Sequence, residues 1–509
     1  MGIKKRYIFR FFYYTLFFFI IFFTNKKLGL TWDEAYYYYP SLLVKEWLKN
    51  LITLNIHEIL NVDRYFSLIK ELPPMGKYLL AISYGIGRSL GLSHILSLRW
   101  LFEILFILQL FIISKFFYRF FYKSEFSYYL PSLLMISFPR VFAHAHFGTM
   151  DLLCTFFILL STYFFLKFLT KGKNLYFFLF IFTSVLGIIT KFNNLVHFAF
   201  LCFILIILKY KKLKIHHYFS LFILPGILVF ILWPWLWNAP IKKFTWYWNY
   251  FFHHQFTKVF FEGKVYSKAP FYYPIKMFFM TTPPIIIIAF IFSLYQFYKE
   301  VKNSFFRNIK KIYPYLIIFI SAFYPMLLLM LPNAPTYDGI RLFLPAYPFL
   351  TMIISYGIVY ETKKYCKLIY FFILIGFLVD LKAYYPFYMS YYNIFCGNLK
   401  KISKKYEITY WCEPFNENVI RYINNKIPKN SHVKFLAFQE LIPQIYIKWG
   451  QMKKINIHSS PPYDYHILYN RPAFFGRVEK YLYTRKTPIK VFYYKEVPLI
   501  LIYHTHREF

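Results

Sequence analysis

Two adjacent acids, Asp33 and Glu34 in the run Thr31-Trp32-Asp33-Glu34-Ala35-Tyr36, stand just beyond the first long apolar segment of the chain. Carboxylates at such a boundary are costly to desolvate, so they either stay in water as flanking charge or serve a site. Company decides between the two. Asp151, Lys77, Lys191 and Arg341 also fall at the ends of apolar runs, and His144 and His146 lie close to one of them. If those ends share one side of a bilayer, acids and cations remote in the chain can meet around a lipid-borne substrate.

The elements that must position them are apolar throughout. The 509 residues are 58% hydrophobic and 25% aromatic, too apolar for a soluble globule and enough for many membrane crossings. A formal net charge of +38 would suggest nucleic acid in a soluble protein. Here Lys and Arg cluster in short loops between apolar runs, which reads as positive-inside topology and contact with anionic membrane lipids, with no nucleic-acid partner. The basic start from Met1 to Arg10, followed by an apolar run to Phe23, lacks a small-residue cleavage site and reads as a retained signal-anchor helix. The five cysteines show no metal-ligand spacing, and Cys154, Cys202 and Cys366 lie in apolar runs as small hydrophobes.

Apolar runs of suitable length, sided by Lys/Arg bias, predict about eleven spans. The first, near 7–23, has Lys4, Lys5, Arg6 and Arg10 behind it, which puts the N-terminus in the cytoplasm and Asp33-Glu34 outside. Within the first outer loop, 24–96, the short apolar stretch 77–91 is interrupted by Gly85, Gly87, Arg88 and Gly91 and is expected to lie in the interface. Charge supports that choice, because the span near 97–118 ends in Lys115, Arg119 and Lys123, which belong inside. Spans near 127–142, 151–169, 174–190, 193–209, 218–237, 274–298, 313–331, 342–360 and 368–383 then alternate. Lys171, Lys173, Lys211, Lys212, Lys214, Lys363 and Lys364 fall inside. The segment His144 to Asp151, Lys191, a large aromatic loop at 238–273 and Tyr337 to Arg341 fall outside.

From about 384 the composition changes, with charges, Asn and Pro interrupting the apolar runs. Helical spacing from Asn416 to Ile427, a strand from His432 to Phe438 and strands at 463–469 and 490–503 predict a small extracytoplasmic α/β domain. The expected architecture is an all-α polytopic membrane domain over 1–383, with interfacial helices in its first outer loop, followed by that α/β domain over 384–509.

Several motifs occur in a particular order. Asp33-Glu34 follows the first span, Pro73-Pro74-Met75-Gly76-Lys77 opens an apolar helix, and His144 to Asp151 precedes a long span. Gly187 to Lys191 comes before Asn193-Asn194, Asp338-Gly339-Ile340-Arg341 ends an outer loop, and Tyr391-Tyr392-Asn393 leads to Tyr410-Trp411. Over most of residues 1–415 this set resembles the GT-C class of integral-membrane glycosyltransferases, in the branch of the protein O-mannosyltransferases and the lipid A aminoarabinose transferases. The resemblance implies a sugar, hexose or pentose, carried on a polyprenyl phosphate and passed to a hydroxyl of a protein, lipid A or another glycan, at the outer face of a plasma (inner) membrane. It implies Asp33 as general base in an inverting displacement, with Asp151 orienting the acceptor or the base and Glu34 counted among the catalytic residues. One base suffices, because a leaving phosphate needs charge neutralisation more than a proton. Arg341 is expected to hold the donor phosphate with its fork, and Lys77 and Lys191 as point charges. His144, His146 and Tyr337 are expected substrate contacts, and a divalent cation held by Glu34 with His144 or His146 is a low-specificity expectation.

Each residue also has a plainer reading. Lys77 and Lys191 can snorkel to the interface, Arg341 can pair locally with Asp338, and Asp151 can cap its helix. The sequence departs from the related pattern at Leu72, where His or Lys precedes the Pro-Pro pair. It departs again at Cys396-Gly397 and Trp411-Cys412, where the pattern has Gly-Gly and Trp-Gly. Two cysteines in an extracytoplasmic segment lead to an expected Cys396–Cys412 disulfide. The rival functions are a polyprenyl-linked sugar flippase, which would place its polar residues at mid-membrane depth, and a non-catalytic subunit of a glycan assembly system, which would tolerate Asp33→Asn.

Overall fold

Long apolar runs become helices. The computed structural model describes residues 3–207, 213–253, 256–307, 309–361, 365–457 and 461–505, so Lys211, Lys212, Lys363 and Lys364 lie outside the described residues. Among those described, seven helices are long and apolar enough to cross a membrane: Lys4–Asn25, His94–Phe120, Met150–Lys171, Ile215–Leu232, Pro284–Asn303, Ile312–Leu329 and Arg341–Tyr360. Two shorter apolar helices, Asn174–Ile188 and Asn194–Ile207, and the helix Cys366–Tyr384 occupy three more of the expected positions. Met150–Lys171 and Arg341–Tyr360 are the most enclosed, whereas Lys4–Asn25 and Ile215–Leu232 turn most of their surface outward.

The run expected near 127–142 differs. It forms two helices, Glu125–Ile136 and Pro139–His144. Pro139 fits the first turn of the second helix, where its missing N–H is no loss, and it pushes Phe138 out of helical geometry, to φ −85° and ψ 106°. The break carries Arg140, His144 and His146 into the buried interior.

The loop between the first two long helices is itself helical, with Trp32–Ile52, Ile56–Leu60, Val62–Phe66 and Met75–Ser89. The last of these has 15 residues, so it reaches only about 22 Å, short of a hydrocarbon core of about 30 Å. It buries Leu80, Ala81 and Tyr84 and exposes Ile82 and Ile86, the two-faced pattern of a helix lying along an interface. The aromatic loop holds the helix Pro240–Phe252 and an antiparallel hairpin, β1 Val259–Phe261 with β2 Lys264–Tyr266.

The C-terminal region builds a four-stranded sheet from β3 Val433–Leu436, β4 Tyr465–Tyr469, β5 Lys490–Tyr494 and β6 Val497–His504, in the order β3-β4-β6-β5. β3 and β4 are parallel and the other pairs antiparallel. A parallel pair needs a crossover, and the helix Leu441–Lys448 lies within it. The expected strand 490–503 is a hairpin instead. Lys495 and Glu496 both take positive φ, the two-residue turn that matches strand twist. The helix Glu417–Lys426 buries Val419, Ile420 and Ile423 and starts at Asn416, whose side chain accepts from the Asn418 N–H.

This region is stitched to the start of the first loop. Gly29 N–H donates to the Glu413 carbonyl (2.9 Å), Trp32 N–H to the Trp411 carbonyl (2.7 Å), and Leu30 N–H to the Tyr446 hydroxyl (2.8 Å). A Cβ at position 29 would sit 2.1 Å from the Phe415 carbonyl oxygen, so only glycine allows the approach. The expected disulfide is not formed, because its two cysteines lie in separate environments. Cys396 is a free thiol in a partly exposed turn beside Asn393, and Cys412 is a free, fully buried thiol whose backbone N–H donates to Tyr469.

Candidate active site

The chemistry begins at a helix start. Thr31 caps the helix Trp32–Ile52, accepting from the Glu34 N–H, while the Glu34 carboxylate accepts from the Thr31 N–H (3.0 Å) and hydroxyl (2.9 Å). This capping box consumes one side of Glu34. Arg99, near the start of the helix His94–Phe120, takes the rest. Its Nε donates to Oε1 (2.7 Å) and one terminal nitrogen to Oε2 (2.6 Å), with the Gly148 N–H also on Oε1 (2.9 Å). Arg99 further donates to the Asn25 side chain (2.7 Å) and the Gly29 carbonyl (2.6 Å). Burial opposes the Glu34 charge, yet Arg99 and these donors hold its carboxyl below the ordinary range. Glu34 is thus fully buried and saturated, with no lone pair turned toward substrate, which corrects its expected catalytic role.

Asp33, one residue earlier on the same helix, points to a different partner. Its Oδ2 is ion-paired with a terminal nitrogen of Arg341 and accepts from the Tyr37 hydroxyl (3.3 Å). Arg341 Nε donates to Asp151 (2.9 Å), and its other terminal nitrogen donates to Asp338 (3.1 Å). Lys191, in the turn between two short apolar helices, is ion-paired with the second oxygen of Asp151. Asp151 sits in the first turn of Met150–Lys171 without capping it. Burial pushes the Asp33 carboxyl above the ordinary range despite Arg341, and Asp151 holds the Lys191 ammonium above its ordinary value despite burial.

Backbone conformation aims the arginine. Asp338 and Gly339 both take positive φ, one residue short of Arg341, and a Cβ on Gly339 would lie 2.6 Å from an Arg140 nitrogen. Trp411 lies under the guanidinium, 5.0 Å from ring centre to Cζ, and its indole N–H donates to Asp338 (3.3 Å). The other oxygen of Asp338 accepts from Arg471 (2.6 Å), which follows strand β4 and also donates to Glu407 (3.2 Å) and the Tyr410 carbonyl (2.8 Å). The C-terminal region therefore supplies both a platform and a counter-cation to the cluster.

The remaining expected residues divide. His144 is fully buried edge-on to Trp411, at 4.9 Å, and neither ring nitrogen has a hydrogen-bond partner; burial pushes its pKa down to about 3, so the ring is neutral. Tyr337 lies beside the cluster, with Arg341 5.8 Å from its ring centre. His146 is occupied elsewhere, by the Phe142 carbonyl (2.7 Å) and the Thr24 hydroxyl (2.7 Å). Lys77 donates to the carbonyls of Leu68 (3.2 Å) and Ile69 (2.7 Å) and makes no ion pair with the Arg341 cluster; burial lowers its pKa to about 7. With Glu34 and His146 committed, the expected cation ligands do not converge, and no group of three His, Cys, Asp or Glu side chains is placed to hold a metal among the described residues.

Sequence reasoning missed Arg99 and Arg471. The spacing Thr31-x-x-Glu34 is itself a capping-box signature and separates Glu34 from Asp33. An arginine inside an apolar span, as Arg99 is, marks a buried carboxylate partner.

The architecture is a GT-C-type fold. Within it, the chain is similar over nearly its whole length to ArnT from Cupriavidus metallidurans, in a crystal structure described as bound to undecaprenyl phosphate. The TM-score is 0.53 at 10% identity, with 98% of each chain covered. The apo structure of the same protein matches at TM-score 0.52 and 9% identity, again over 98% of each chain. Residues 71–237 match the family described as dolichyl-phosphate-mannose-protein mannosyltransferase. No curated protein matches the chain.

Proposed function

We propose that the protein is an inverting glycosyltransferase that passes a sugar from a polyprenyl-phosphate donor to a hydroxyl acceptor at the outer face of a plasma membrane. One observation carries this reading. Asp33, Asp151, Lys191 and Arg341, from four distant parts of the chain, form a single ion cluster within an ArnT-like fold.

Arg341 is shared by Asp33, Asp151 and Asp338. An arriving donor phosphate competes for Arg341 and Lys191, and Asp33 is released from its cation. A buried carboxylate without its cation is a stronger base. Asp33 then takes the acceptor hydroxyl's proton as that oxygen attacks the anomeric carbon. The bond from that carbon to the phosphate oxygen breaks, and the polyprenyl phosphate leaves as an anion held by Arg341 and Lys191. A single displacement inverts the anomeric centre. In its ammonium form Lys77 has spent two of its three N–H donors on carbonyls, which leaves one for the phosphate.

Purified protein with a polyprenyl-phosphate-linked sugar and membrane acceptors tests the proposal. Asp33→Asn should abolish glycoside formation. Equal transfer by Asp33→Asn overturns the mechanism, and Asp33-dependent lipid translocation without glycoside would establish the flippase. Mass spectrometry of glycolipids and glycoproteins lost on deletion identifies the sugar and acceptor.

A further inference from the structure

The second feature of the molecule lies at the far end of the helix His94–Phe120. Arg99 serves the Glu34 network near its start, and Arg119 stands near its end. Twenty residues of helix separate them by about 30 Å, the thickness of a hydrocarbon core. At that end the helices Ile3–Asn25, His94–Phe120 and Met150–Lys171 leave a cleft of about 1280 Å3 between them. Its apolar wall includes Ile104, Ile107 and Leu108, and its rim carries Arg10, Lys115, Arg119, Lys123 and Lys171.

Of the rim cations, Arg10 is neutralised by the protein and the other four are not paired with a carboxylate among the described residues. Arg10 donates to both oxygens of Glu125 at 3.2 Å. Among the described residues, Lys115, Arg119, Lys123 and Lys171 form no ion pair with a carboxylate. An apolar wall ending in a cationic rim is complementary to an amphiphile with an anionic head. A free phosphate would leave the wall uncovered, and a neutral lipid would leave the rim uncompensated. The cleft also exceeds the roughly 300–1,000 Å3 of a pocket for a small soluble ligand.

We propose that this cleft binds one anionic glycerophospholipid, with acyl chains along the apolar wall and phosphate among Lys115, Arg119 and Lys123. The site lies at the opposite end of the helical body from the Arg341 cluster and does not depend on the function assigned there.

Native mass spectrometry of the delipidated full chain in detergent tests this with three probes: phosphatidylglycerol, phosphatidylcholine and undecaprenyl phosphate. The expected result is one phosphatidylglycerol retained per chain, with retention falling about 100-fold in Lys115→Gln/Arg119→Gln/Lys123→Gln, as three near-surface cations imply. Lys4→Gln/Lys5→Gln, which removes exposed charge from the same end without touching the cleft, should retain the lipid unchanged. Leu108→Trp keeps every cation and fills the wall, so it should also lose the lipid, and it carries the test by itself if the triple variant does not fold. Equal retention in both cleft variants, equal loss in Lys4→Gln/Lys5→Gln, equal binding of phosphatidylcholine, or preference for undecaprenyl phosphate would each overturn the assignment.

Discussion

Asp33 and Glu34 are neighbours in sequence and belong to two unlike ion networks. Glu34 is fully buried, and Arg99, Thr31 and Gly148 account for both of its oxygens. Asp33 shares one arginine with two other carboxylates and retains slight exposure. A saturated pair has nothing to give a ligand, whereas an over-subscribed arginine can exchange a carboxylate for a phosphate at little net loss of contacts. The difference teaches how a buried charge is used: Glu34 holds the loop, and Asp33, in the mechanism proposed above, is left to react.

The largest expected effect breaks the comparison on its reactive side. Asp33→Asn should lower transfer by about 10²–10⁴-fold, the range for loss of a general base, with an unchanged melting temperature. The converse holds for Arg99→Ala. It strands the Glu34 carboxylate and should cost about 3–5 kcal/mol of stability, seen as loss of monodisperse protein or a large drop in melting temperature. Arg341→Lys comes next. It keeps one charge and removes the fork, so the donor KM should rise by roughly 10–100-fold, as loss of charge-assisted hydrogen bonds implies, with a smaller change in acceptor KM.

The pH dependence separates the networks with smaller effects. Protonation removes the Asp33 base, and its pKa is raised by burial, so kcat/KM should fall as pH drops through a value above the ordinary Asp pKa of about 3.9. Glu34 has the opposite sign. Its folded pKa is depressed, so its stabilisation is complete above the unfolded carboxylate range and is lost as pH falls through the folded value. Melting temperature against pH should therefore have a shallower acid limb in Glu34→Gln than in wild type.

The sequence made Asp33, Asp151, Lys191 and Arg341 legible together because charge at the end of an apolar run is expensive, and Lys/Arg bias assigned those ends to one side. The helical body was legible for a similar reason, since length and apolarity decide it. The break before Pro139 also had a visible cause, yet the apolar composition on both sides masked it. Other features depend on contacts between distant segments. Nothing local to Arg471 announces that it will hold Asp338, and nothing local to Lys77 shows that Leu68 and Ile69 will turn their carbonyls toward it. The hairpin in 490–503 was hidden because the turn residues Lys495 and Glu496 are not the Asn or Gly usual at positive φ.

The stitching of residues 29–32 to the C-terminal region has a consequence in time. Leu30 and the Tyr446 hydroxyl that secures it are 416 positions apart, and the Trp411 backbone that holds Trp32 is likewise translated long after it. A ribosome threading this chain into the bilayer delivers residues 29–32 early and the segments that hold them near the end. The loop that carries Asp33 is therefore fixed in place only after the later helices have been made.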